Sequence, residues 1–169
     1  MSRSKSGVLL VEASMACVII SVALVALVPT FVLSLKANKA AEQMKVATQL
    51  STELLEEIRL RRWDELTPLP PQSIAVGSST LGIDAGENAA DKRTFNDIDD
   101  FNGWTENPPK DPMMLALTGI VGYSRSVTVR YVDSALANSA TPTNYKQVTV
   151  CTQEPKGASV CLDTLFTNR

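Results

Sequence analysis

The residue whose type and place demand chemistry first is Glu12. It is the only charged residue in the apolar run from Val8 to Leu35. A carboxylate in hydrocarbon costs about 3 kcal/mol even on forgiving scales, so it needs a partner or a nearby interface. Residues 1–7 form a short polar segment that carries Arg3 and Lys5 and ends on Gly7. A cut after Gly7 would expose a new α-amino group on Val8 and place Glu12 fifth in the shortened chain. Amine and acid would then lie at one end of an apolar segment. The plainer alternative is that Glu12 snorkels to the interface at the edge of the run.

Two further groups carry chemistry. Asn96-Asp-Ile-Asp-Asp-Phe-Asn-Gly-Trp104 brings together Asp97, Asp99 and Asp100 with two Asn side chains. These are hard oxygen donors of the kind Ca²⁺ takes. They do not have EF-hand spacing: with Gly103 at the sixth loop position, Ile98 would fall at the first. The expectation is a solvated acidic turn with no metal, and calcium is the alternative. Cys151 and Cys161 flank the turn Glu154-Pro-Lys-Gly157. A hairpin centred on Lys156 sets them directly opposite, with Cβ atoms near disulfide reach. A disulfide implies an oxidising compartment; two free thiols would imply a reducing one. Cys17, inside the apolar run, reads as a small packing residue.

The chain excludes much. It has no His and a formal net charge of −2. Without His the usual triads, the commonest general base and His-containing metal sites are gone. Nothing in the charge points to nucleic acid. The expectation is a protein with no catalytic site and no cofactor.

The elements that would position these residues follow from patterning. The run Val8–Leu35 would be about 42 Å long as a helix, more than the roughly 30 Å hydrocarbon core needs. It is too long for the apolar core of a cleaved secretory signal. After Leu35 apolar residues recur at steps of three and four: Ala40, Met44, Ala47, Leu50 or Ser51, Leu54 and Ile58. That is the stripe of an amphipathic helix. Pro68, Pro70 and Pro71 stop it. The expected helix spans Val8 to Arg62, with solvated charges on its outer faces and Trp63 packed where it meets the next domain. Pro29 is expected to bend it or melt it locally.

Residues 67 to 117 are rich in Pro, Gly, Asn and Asp and read as loops, with one short strand at Ser73 to Val76. Alternation predicts strands at Ser124 to Val132, Tyr145 to Thr152 and Ser159 to Leu165. Inward residues would be Val127, Val129, Tyr131, Val148, Val150, Val160 and Leu162. The expected fold class is α+β, a long N-terminal helix packed on a small antiparallel sheet. The domains are 1–7 leader, 8–35 transmembrane half, 36–66 amphipathic half and 67–169 β-rich domain.

Gly7-Val-Leu-Leu-Val-Glu12 resembles the cleavage and methylation signal of type IV prepilins and pseudopilins. In that family a membrane aspartyl protease cuts after the Gly and methylates the new terminus. The resemblance implies cleavage at Gly7–Val8, N-methylation of Val8 and an assembly role for Glu12. Val8 departs from the family's usual Phe or Met. Pro29, at mature position 22, matches a Pro that many pilins carry. The segments Leu54–Glu65 and Asn96–Trp104 are similar to stretches of MSHA-type minor pilins, and a Cys151–Cys161 bridge would be similar to the family's carboxy-terminal disulfide loop.

The function that the resemblance implies is structural: a minor pilin of a type IV pilus-like filament. Its partners would be a prepilin peptidase, other pilin subunits and an inner-membrane assembly platform. The C-terminal domain would lie in the periplasm. A type II secretion pseudopilin is the rival within the family. A single-pass membrane protein with a ligand-binding domain is the rival of another class.

Overall fold

The computed structural model describes residues 4–65 and 80–168, and side chains from Leu9 onward. The strand expected at Ser73 to Val76 lies outside the described residues. The chain divides into two compact units, Met1–Glu42 and Gln43–Arg169.

Helix α1 spans Ser4–Arg59. In the first unit every described side chain, from Leu9 to Glu42, is exposed. Helix continues through Pro29, so the local melting expected there is not observed. Pro29 has no N–H to give to the carbonyl of Val25. Ser14, Ser21 and Thr30 turn their hydroxyls back on the carbonyls of Val11, Cys17 and Leu27, at 2.7–2.8 Å. Hydroxyls satisfied within the helix suit a segment that has no water around it.

The second unit holds the last turns of α1 and a four-stranded antiparallel sheet. The strands are β1 (Thr105–Glu106), β2 (Ser124–Tyr131), β3 (Tyr145–Gln153) and β4 (Ser159–Thr167), in spatial order β1-β2-β3-β4. The three long strands fall within two residues of the expected bounds. β1 was not expected; two residues are too few for alternation to show.

Period-2 alternation sends Val127, Val129 and Tyr131 of β2, and Val148 and Val150 of β3, into one core. Leu54, Leu55 and Ile58 of α1 enter the same core, with Phe95, Phe101 and Trp104 from the preceding loops. Each such side chain contributes roughly 1.5–3 kcal/mol of burial. Phe95 meets Phe101 and Trp104 edge-on at 5.0 and 5.2 Å. Val160 and Phe166 of β4 only half-cover the core, because β4 is an edge strand.

The buried stripe of α1 is shorter than the pattern suggested. Ala40 and Met44 are exposed; burial begins at Ala47 and continues through Leu50, Ser51, Leu54 and Ile58. The helix also ends at Arg59 and not at Arg62. Arg62 has left it to pair with the acidic loop: its N–H bonds Asn96 O at 3.4 Å, and its carbonyl accepts from Ile98 N at 3.0 Å.

Candidate functional site

Glu12 lies on α1 with its side chain exposed, among exposed apolar neighbours on all sides. Gly7 and Val8 are part of the same helix. One helix near the N-terminus is thus long and apolar enough to cross a membrane. Exposed apolar surface is unfavourable in water at about 25 cal/mol per Å². This half of α1 is thus compatible with a segment that crosses a membrane. Cys17, expected as a packing residue, is a free and exposed thiol on this surface.

Cys151 and Cys161 form a disulfide. They are cross-strand partners in the β3–β4 ladder, in the register expected of a hairpin centred on Lys156. The turn closes through Glu154 N to Ala158 O at 2.7 Å and Gly157 N to Glu154 O at 2.9 Å. Gly157 takes φ +86, a left-handed conformation that only Gly adopts freely.

The acidic loop departs most from expectation. It is not a solvated turn: Asp97, Asp99 and Asp100 are all buried. Asp99 and Asp100 open a short 3-10 turn, Asp99–Phe101. Asp97 Oδ1 accepts from the N–H of Asp99 at 3.0 Å. Asp100 Oδ2 accepts from the N–H groups of Asn96 and Asp97 at 2.8 and 3.0 Å. Gly103 then turns at φ +82 and donates its N–H to Val127 O at 3.0 Å, which ties the loop to β2.

Lys146 of β3 is the buried cation opposite this loop. Its Nζ donates to Asp99 Oδ1 at 2.7 Å and to Trp63 O at 2.6 Å, and lies 3.4 Å from Asp64 Oδ2. It also stands 4.8 Å above the ring of Trp63. Even so, burial pushes the Asp99 carboxyl above its usual range, against the pull of Lys146. Burial and then the charge of Asp99 push Asp97 up to about 9. Burial, with Asp100 beside it, pushes Glu87 up to about 7. Asp84 is also raised, by burial first and then by Asp99 and Asp100.

A second buried charge group sits beneath β1. Lys92 Nζ reaches Glu57 Oε2 at 2.8 Å and Glu106 Oε1 at 2.9 Å. Arg125 Nε donates to Glu106 Oε2 at 2.8 Å, and its Nη1 to Leu50 O at 3.0 Å. Burial would raise Glu106, but Arg125 and Lys92 outweigh it and hold the carboxyl below its ordinary value. Glu57, expected on a solvated face, is drawn in by Lys92.

Sequence reasoning missed these cations. A parity signal was available for two of them: Arg125 shares the inward face of Val127 and Val129, and Lys146 that of Val148 and Val150. Lys92, in an irregular loop, offered no such signal. No protein family, curated protein or solved structure matches the chain.

Proposed function

We propose that this chain is a structural subunit of a pilus-like filament, a minor pilin with a pilin-like fold. It is made as a precursor, cut between Gly7 and Val8, methylated on Val8 and assembled through α1. The observation that carries this reading is Glu12. It is a lone carboxylate on an exposed apolar helix, five residues after Gly7. Buried alone in lipid it is expensive. Beside the α-amino group of Val8 on a neighbouring subunit, each charge offsets much of the other's desolvation. The pair favours one axial register and so directs assembly.

The exposed apolar half of α1 supports the same reading, since other subunits' helices would cover it. The disulfide suits a domain on the oxidising, periplasmic side of the inner membrane. A prepilin peptidase, other pilins and an inner-membrane assembly platform are the implied partners.

Mass spectrometry of the protein isolated from membranes tests the reading. The expected product begins at Val8 and carries one added methyl group. A product that retains residues 1–7 refutes it.

A further inference from the structure

Beyond any role in assembly, we propose that Glu65, Asp84 and Asp97 form a calcium-binding site on the folded domain. One carboxylate oxygen from each lies within 4.8 Å of the others. Three oxygens so spaced lie at most about 2.8 Å from a common centre, close to the roughly 2.3–2.6 Å of Ca–O bonds, so a small side-chain adjustment brings all three onto one ion. Mg²⁺, at about 2.0–2.1 Å, demands near-ideal octahedral geometry and usually keeps several waters, which suits three carboxylates from separate segments less well. The donors are carboxylates only, the hard ligands that Ca²⁺ takes and that softer transition metals do not select.

The hydrogen bonding of Asp97 points to a ligand independently. Its side chain is fully buried. Oδ1 is occupied by the backbone N–H of Asp99, but Oδ2 has no hydrogen-bond partner. Asp100 Oδ1, three residues on and also buried, has none either. A buried carboxylate oxygen with nothing to accept is strongly unfavourable. Lys146 is engaged with Asp64 and Asp99, whereas Arg62 lies 3.1 Å from Oε2 of Glu65 itself, so an ion would share that carboxylate with it. Among the described residues, no Lys or Arg forms an ion pair with Asp84, Asp97 or Asp100. A divalent cation would give Asp97 Oδ2 a partner.

The three ligands come from separate segments that the fold ties together. The backbone bridge of Arg62 to Asp97 brings Glu65 beside the acidic loop. Glu87 holds the third segment: its Oε2 accepts from Asp84 N at 3.2 Å and its Oε1 from Asn96 Nδ2 at 2.8 Å. Glu87 is a positioning residue here. An ion at this place cross-links the segment that follows α1, the Asp84 loop and the Asp97 loop. It binds only when they are assembled, so it stabilises the folded domain.

The test uses the full chain in detergent micelles, stripped with EGTA and titrated with CaCl₂. Equilibrium binding of ⁴⁵Ca²⁺ is expected to give one ion per chain, with Kd of about 0.1–1 mM. The melting temperature is expected to rise by about 5 °C at 5 mM Ca²⁺. Asp97→Asn and Asp84→Asn should each abolish both effects, with Ca²⁺-free melting no lower than that of the wild type. Glu53→Gln, an exposed acid on α1, should bind as the wild type does. No binding to folded wild type up to 10 mM Ca²⁺ overturns the proposal. Undiminished binding in both Asn variants overturns it as well. Neither result depends on whether residues 1–7 are removed in the cell.

Discussion

Lys146 Nζ lies 2.7 Å from Asp99 Oδ1, with both side chains almost wholly shielded from water. β3 thereby holds an otherwise irregular loop against the core. Asp99 also closes the 3-10 turn through Asn102 N to Asp99 O at 2.9 Å. A buried pair of this kind contributes little net energy, but breaking it strands a charge.

Lys146→Met should therefore destabilise the domain by about 3–5 kcal/mol, because Asp64 and Asp99 lose their buried cation. The double variant Lys146→Met/Asp99→Asn should recover part of that loss. Urea denaturation followed by Trp fluorescence measures both. A loss under about 1 kcal/mol in the single variant would show that Lys146 is not the partner on which the loop depends.

Stability without metal should fall as pH rises. Asp97 is raised to about 9 and Glu87 to about 7 in the folded protein. The unfolded values are about 3.9 and 4.3. The folded state thus holds more protons between these limits, so stability is fully present below about pH 4 and is lost as pH climbs through 7 and then 9. Facing Asp97 are Asp99, Asp100, Glu65 and Asp84 as acids and Lys146 as the cation. In EGTA the urea midpoint is expected to be higher at pH 5.5 than at pH 8.5, and Asp97→Asn should flatten the difference. A midpoint that rises over this range contradicts the assignment.

The disulfide closes a loop with a sequence separation of 10. Loop-closure entropy puts its contribution at roughly 2–3 kcal/mol. Cys161→Ser should lower the melting temperature accordingly, while the β3–β4 register persists through its backbone ladder. Thiol titration under denaturing conditions should find one thiol, Cys17, before reduction and three after. Three thiols in unreduced protein would exclude the bridge in the cell.

Glu12→Ala should leave membrane insertion intact and raise the apolar character of α1. Its presence in sheared filaments should fall by an order of magnitude or more, since the Val8 amine of a neighbour loses its counter-charge. Glu12→Asp should retain part of the function. Incorporation of the Ala variant at the wild-type level would remove Glu12 from the assembly mechanism.

Local pattern was enough for the elements. The run Val8–Leu35 shows an apolar helix because one uninterrupted composition can have few other outcomes. Alternation showed β2, β3 and β4, and the symmetry of the hairpin about Lys156 showed that Cys151 faces Cys161. All of these are short-range properties: side-chain direction repeats every two residues in a strand and every 3.6 in a helix.

What tertiary structure alone decided is which charges are inside. Asp97, Asp99 and Asp100 read as a solvated turn, because three acids in a row of polar residues usually are. Their burial depends on Lys146, some fifty residues away in the chain, and on the Arg62 backbone that pairs with the loop. Likewise Glu57 reads as a helix-surface acid until Lys92 reaches it. The meeting of Glu65, Asp84 and Asp97 has no local signature at all. Burial of a charge is set by whatever lies across the space from it, and that is a long-range property no window along the chain contains.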